Sequence, residues 1–395
     1  SFLGSAAARG SRVASQRWDA TRRGNFMDTE WSNVRPDLAT EIRPRWGRDL
    51  RRRKDRLHCD RAAINQVMSN AIVQIPFPQN EPIYDYEPGS PRRDSLKGRL
   101  EALAAETVDI PCLIGGREVR TGNTAPCVMP HDHGHVLGQF HQPGEKEVVA
   151  AIEAATSAWR EWSRTPWEDR AAVFLKMASL LVGSHRDTVN AATMLGLSKN
   201  VFQSEIDAAC ELIDFWNFNA FYAQEIYAGQ PPHSPSGMWN QVENRSLEGF
   251  VFAVTPFNFT SIAANLPTAP VLMGNVALWK PSPNAVYPTW FLMKLFREAG
   301  LPDGVINYLP GPGEQIGAQV MAHPALAGIH FTGSTATFQS MWQTVGPNIK
   351  NYRSYPRIVG ETGGKDFIIA HESADTEALA TAILRGAFEY QGQKC

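Results

Sequence analysis

The chain has 395 residues, 43% hydrophobic and 20% charged, with a formal net charge of −2. That balance excludes a wholly disordered or collagen-like polymer, allows two or three domain cores, and gives the molecule as a whole no electrostatic bias towards nucleic acid or anionic lipid. The five cysteines, Cys59, Cys112, Cys127, Cys210 and Cys395, are odd in number and scattered, which argues against a disulfide scaffold or a zinc ribbon.

Charge is distributed unevenly. Residues 1–61 carry 15 Lys and Arg against 8 Asp and Glu, net +7, and the remainder is net −9. Arg9, Arg12, Arg17, Arg22 and Arg23 stand among Ser and Ala with one acid, Asp19. This composition suits a mitochondrial targeting segment, with a plain disordered tail or an upstream extension that is not native sequence as the alternatives. The basic run Arg51–Arg56 lacks interleaved aromatics and a recognisable binding module, so no nucleic-acid partner is expected. Pro76, Pro78, Pro82, Pro88 and Pro91 then disfavour helix and read as an extended linker.

Three amphipathic helices follow, over 145–162, 169–182 and 205–224, each with apolar residues at helical spacing. The stretch 229–249 is rich in Pro, Ser and Gly and reads as a loop or an edge hairpin. From Phe250 short apolar runs alternate with helical stretches. Strands are expected at Phe250–Thr255, Val276–Lys280, Val305–Leu309, Gly328–Phe331, Arg357–Val359 and Phe367–Ala370. Helices are expected near 261–273, 288–299, 314–322, 335–345 and 375–390. The alternation implies an α/β fold, a parallel sheet flanked by helices, with ligands at the carboxyl ends of the strands. Gly249 to Trp279 has no charged residue, but three prolines and three asparagines within it argue against a membrane span.

Several short motifs fall at the expected strand ends. Asn258, in TPFNF (255–259), carries a carboxamide able to donate to an oxyanion, or simply closes a turn. Lys280, in WKPSP (279–283), is left in a crevice where a nucleotide would lie, or is a solvated lysine. Gly311, Gly313 and Gly317 only loosely match a dinucleotide fingerprint. FTGS (331–334) is a phosphate candidate or an ordinary tight loop. Glu361, in ETGGK (361–365), is a candidate general base, and Cys395, in GQKC (392–395), a candidate nucleophile. The alternatives are a solvated carboxylate and a buried small thiol. His131, His133, His135, His141 and Cys127 offer metal-ligand types at close range in a Pro- and Gly-rich stretch; a surface loop is the plainer reading, and no metal is expected.

TPFNF, WKPS, GPG…G, FTGS, GETGGK and GQKC in this order resemble the aldehyde dehydrogenase superfamily. TPFNFT (255–260), EIDAACELIDFWNFNA (205–220), FEYQGQKC (388–395) and SPRRDSLKGRLEAL (90–103) are most similar to its branch acting on glutamate γ-semialdehyde. The resemblance implies a Rossmann-like fold, incomplete here, with NAD as cofactor. It implies Cys395 as nucleophile, Glu361 as water-activating base and Asn258 as oxyanion amide. Cofactor contacts carry over to Thr255, Lys280, Gly333, Ser334, Thr337 and Thr362. Phe259 would wall the aldehyde pocket, and Glu211 would face the substrate amino group. Pro283 and Asn284 stand where the family often has an acid after WKPS.

The implied division is a basic, disordered extension over 1–81, an NAD-binding domain over 82–360 with an oligomerisation hairpin near 229–249, and the start of a catalytic domain over 361–395. Since the superfamily's polypeptide continues past the nucleophile, the chain alone is expected to be inactive. The implied setting is the mitochondrial matrix, the implied partners a small-molecule substrate and further copies of the subunit. An enzyme for another semialdehyde, such as succinate semialdehyde, and a non-catalytic NAD-binding remnant are the rival readings.

Overall fold

The computed structural model describes residues 72–364, 366–390 and 393–394, all within the unit Ala71–Cys395. The basic run, the arginine-rich start and Cys395 lie outside the described residues. The chain enters through helix α1 (Pro91–Ala105), whose N-cap Ser90 accepts from the Arg93 amide. Five short strands follow: β1 (Val108–Ile110), β2 (Cys112–Ile114), β3 (Arg117–Val119), β4 (Thr124–Met129) and β5 (Asp132–His141). Helices α2 (Glu145–Trp162), α3 (Trp167–Val182), α4 (Arg186–Leu197) and α5 (Val201–Ser204) lead through a π-helical turn, Glu205–Cys210, into α6 (Glu211–Ala228).

Strand–helix alternation then builds the sheet: β6 (Phe250–Val254), α7 (Thr260–Leu272), β7 (Val276–Lys280), α8 (Val286–Ala299), β8 (Ile306–Tyr308), α9 (Gly313–Ala322), β9 (Leu326–Gly333), α10 (Thr335–Val345) and β10 (Arg357–Thr362), with α11 (Thr376–Phe388) beyond. The strand order is β10-β9-β6-β7-β8-β2-β3. The first five strands are parallel, and β2 and β3 complete the edge antiparallel. Every residue of β6 (FVFAV) and β7 (VALWK) is buried, the continuous burial expected of central parallel strands covered on both faces. From β6 the chain steps outward to β8, then returns to lay β9 on the other side of β6. With the usual crossover hand, α7 and α8 cover one face while α9, packed against α2, covers the other. The point where the winding reverses, between β6 and β9, opens a crevice at the strands' carboxyl ends.

Four expectations need correction. Residues 72–81 are not a loose extension. Ile75 is buried and its amide donates to Gln224, Phe77 packs edge-on against Phe221, and Asn80 and the Glu81 amide both donate to Asp214. The proline-rich segment lies along α6, its extended backbone satisfied by side chains of that helix. A boundary at 360/361 would cut β10, because Glu361 and Thr362 continue its ladder opposite Thr332 and Gly333.

Residues 229–249 form an irregular loop rather than a hairpin. Pro231, Pro232 and Pro235 remove backbone donors, and the Gln230 carboxamide instead holds both the N–H and the carbonyl of Val242. Phe367–Ala370 is not a strand, since no described strand pairs with it and Phe367 and Ile369 are exposed. The apparent metal cluster also comes apart: His131 meets Ser198, His135 the Ala104 carbonyl and His141 Asp109. Among the described residues no helix is long and apolar enough to cross a membrane.

Candidate active site

The crevice is a cleft of about 410 Å³ at the ends of β6, β7, β9 and β10. Thr255, Asn258, Lys280, Gly333, Ser334, Thr337 and Glu361 are among the residues that line it. Each lies within a few residues of a strand's carboxyl end. The Thr255 hydroxyl accepts from the indole N–H of the core residue Trp279 at 3.1 Å, and the Thr255 amide donates to the Lys280 carbonyl. Ser334 caps α10, accepting from the Thr337 amide at 3.2 Å, so FTGS hands a strand directly to a helix N-terminus.

Lys280 is 7% exposed and no described residue partners its ammonium. Burial pushes it down to about 8. Its Nζ stands 3.5 Å from where a Cβ on Gly313 would lie, at the start of α9, a helix whose N-terminus has no side-chain cap. A buried cation beside open helix amides suits the anionic or hydroxyl-rich part of a nucleotide. β7 and β10 are three strand positions apart, about 14 Å at ordinary sheet spacing, so Lys280 and Glu361 mark separate ends of the cleft.

After β6, between those two strands, the Asn258 Nδ2 donates to the Gln393 carbonyl at 2.7 Å. One of its two N–H bonds thus remains, and its buried Oδ1 has no partner among the described residues. Gln393 and Lys394 complete the lining. They are the two residues before Cys395, which itself lies outside the described residues.

Three predicted site residues stand apart from the lining. Thr362 follows Glu361 on β10, and strand alternation turns it to the opposite face. Phe259 is buried beneath the cleft against Tyr390, ring centroids 5.8 Å apart. Glu211 accepts from the Ser261 hydroxyl and faces a second hollow of about 690 Å³, between α6 and residues 80–83; burial raises its carboxyl above the usual range. Residues missed from the sequence include Ser282, Thr332, Gln393 and Lys394. All sit in motifs already singled out, and taking each motif whole would have found them.

The chain belongs to the aldehyde dehydrogenase family, which matches residues 118–395. It is 48% identical over 326 residues to a delta-1-pyrroline-5-carboxylate dehydrogenase of Agaricus bisporus, covering 82% of this chain and 60% of the relative. It is 46% identical over 316 residues to the mitochondrial delta-1-pyrroline-5-carboxylate dehydrogenase of Homo sapiens, covering 80% and 56%. The crystal structure of the Mycobacterium tuberculosis delta-pyrroline-5-carboxylate dehydrogenase bound with NAD superposes with a TM-score of 0.81 at 53% identity, over 83% of this chain and 61% of that one. The chain therefore spans about 60% of the length of the curated relatives it matches.

Proposed function

We propose that the protein containing this chain oxidises L-glutamate γ-semialdehyde, formed from delta-1-pyrroline-5-carboxylate, to L-glutamate in proline breakdown, using NAD. The observation that carries the reading is the meeting of Asn258, Glu361 and the segment leading to Cys395 around one cleft with Lys280 at its far end. The relatives' names support the choice of substrate, and the NAD-bound relative supports the cofactor.

In this reading the Cys395 thiolate adds to the aldehyde carbon, and the free Asn258 N–H stabilises the oxyanion. Lys280, the Gly313 turn and Ser334–Thr337 are the residues that would hold the dinucleotide, and Thr255 is assigned to its nicotinamide end. When bound, NAD+ accepts the hydride released as the tetrahedral adduct collapses to a thioester. Glu361 then takes a proton from water, whose oxygen attacks the thioester carbon and expels the cysteine thiolate. Phe259 backs the aldehyde pocket. Glu211 is assigned to the substrate amino group, which requires the second hollow to communicate with the cleft.

Kinetics of the full-length protein with glutamate γ-semialdehyde and succinate semialdehyde test the reading. A higher kcat/KM for the former is expected, and a preference for the latter overturns the substrate. NAD should raise the melting temperature of the wild type but not of Lys280→Ala, and an undiminished shift in the variant would remove Lys280 from the cofactor site. The composition of residues 1–24 and the relatives' names also support a mitochondrial protein, and we place it in the matrix. A fluorescent protein fused after residue 81 should be imported there, and a cytosolic signal would contradict this. The subunits are taken to form a homo-oligomer, which light scattering would show as a mass at least twice that of one subunit.

A further inference from the structure

Beyond Pro356, Tyr390 is the one buried side chain among the described residues. Helix α11 buries none of its residues. Tyr390 is thus where the chain returns to the body of the protein, five positions before Cys395. Its hydroxyl donates to the Asp207 carboxylate, and its ring packs on Phe259. Lys199 lies over both rings, its Nζ 4.2 Å from the centroid of Tyr390 and 5.5 Å from that of Phe259. One residue earlier, the Glu389 carbonyl accepts from the Gln203 carboxamide at 2.6 Å.

Lys199 is 4% exposed, and its Nζ has no hydrogen-bond partner among the described residues. Burial pushes its ammonium down to about 8, against the pull of Asp207. Desolvating an ammonium without a hydrogen bond is costly. The cost is offset here by two aromatic faces and a nearby carboxylate, an arrangement that ties the charge to Tyr390.

The local backbone explains how three side chains reach this point. α4 ends at Ser198 in the left-handed conformation, φ 55°, which turns the chain sharply before Lys199. α5 restarts with Asn200 and Gln203 capping each other reciprocally. The π turn then inserts an extra residue, a feature that recurs at functional sites. It lets three successive acids of one continuous helix take different partners: Glu205 faces Arg186, Asp207 faces Tyr390, and Glu211 faces Ser261.

The geometry points to Lys199, Gln203 and Asp207 as positioning residues for the nucleophile: they seat Glu389 and Tyr390 and so set the path of the segment ending at Cys395. Asn258 grips the same segment from the other side through the Gln393 carbonyl. The inference rests on the reading of Cys395 as the nucleophile.

The test uses the full-length protein and compares wild type with Lys199→Met, Lys199→Arg and Tyr390→Phe. The rate of iodoacetamide alkylation at Cys395, mapped by mass spectrometry, is measured beside kcat, KM and thermal unfolding. Lys199→Met is expected to slow alkylation and lower kcat by roughly tenfold or more, as misplacement of a reacting group does. KM should change little, and Lys199→Arg should recover most of the loss. Tyr390→Phe keeps the ring, loses only the bond to Asp207, and carries the test if Lys199→Met fails to fold. Wild-type alkylation and kcat in Tyr390→Phe, and in Lys199→Met where that variant folds, with only a lowered melting temperature, would reduce the cluster to a structural role and overturn the inference. The alkylation readout needs no aldehyde, so slower alkylation in the variants beside a wild type that turns over no glutamate γ-semialdehyde would sink the substrate reading while leaving the positioning role in place.

Discussion

Lys280, proposed above to hold the cofactor, shows how a side chain placed for binding would work against the stability of the protein that carries it. Burial holds its ammonium near 8 rather than at the ordinary 10.5, with no carboxylate among the described residues to repay the desolvation. Between those values the unfolded chain binds more protons than the folded one, so stability of the ligand-free protein rises as pH climbs through the window. Lys199 contributes in the same direction. Urea midpoints taken from pH of about 8 to about 9.5 should increase, and increase less in Lys280→Met. At pH 7 the same variant should be more stable than wild type by about 1 kcal/mol when free of ligand, because an apolar chain replaces a buried unpaired charge. It should also lose the stabilisation that NAD provides. Asn258 makes a different demand: its value lies in one remaining N–H. Asn258→Ala should reduce kcat by about 10²–10³-fold, measured under saturating aldehyde, with unfolding little changed.

Among the elements, the segment before α1 depends on a buried ionic network. Arg186 bonds Glu205 and also reaches Glu81 and the Pro82 carbonyl, while Tyr86 and Asn190 donate to Glu205. Burial alone would raise the Glu205 carboxyl, but Arg186, the Tyr84 amide and the Tyr86 hydroxyl outweigh it and hold it below its ordinary value. Arg186→Ala strands a fully buried carboxylate and should cost about 3–5 kcal/mol in urea unfolding, releasing residues 72–88 to proteolysis. At the other sheet edge, a Cβ on Gly360 would stand 2.3 Å from the Phe338 ring, itself stacked on Phe331 at 5.6 Å. Gly360→Ala should therefore cost about 1–3 kcal/mol and lower kcat, since it pushes α10 off the strand that carries Glu361.

These elements were unequally legible in the sequence. β6 and β7 could be read because strands buried on both faces leave unbroken apolar runs. β1, β2 and β3 are three residues each, too short to show a period, and β4 and β5 are half exposed. α4 is buried on almost every side and has no stripe to detect. The π turn leaves no periodic mark, and so the helix expected over 205–224 gave no sign of where its acids would point.

For the molecule as a whole, the sequence located the cleft better than it located the substrate pocket. Seven predicted residues converge because each sits where a parallel strand ends, and a strand end is visible as an apolar run meeting Gly, Pro or Asn. Phe259 and Glu211 carried no such signal, since their surroundings come from α6, α7 and Tyr390, distant along the chain. The division of labour is physical: one end of the cleft offers a cation that no described residue pairs, the other a carboxylate, with about 14 Å between β7 and β10, which bear them, and the Asn258 amide follows β6, between the two. The central claim is that sulfur, carboxylate and amide act on one carbonyl. Its most direct test is to mix full-length Glu361→Gln with glutamate γ-semialdehyde and NAD and to follow NADH together with the mass of the peptide bearing Cys395. One equivalent of NADH and an acyl adduct accumulating on Cys395 are expected; steady turnover without an adduct, or no reduction in the wild type either, would contradict the claim.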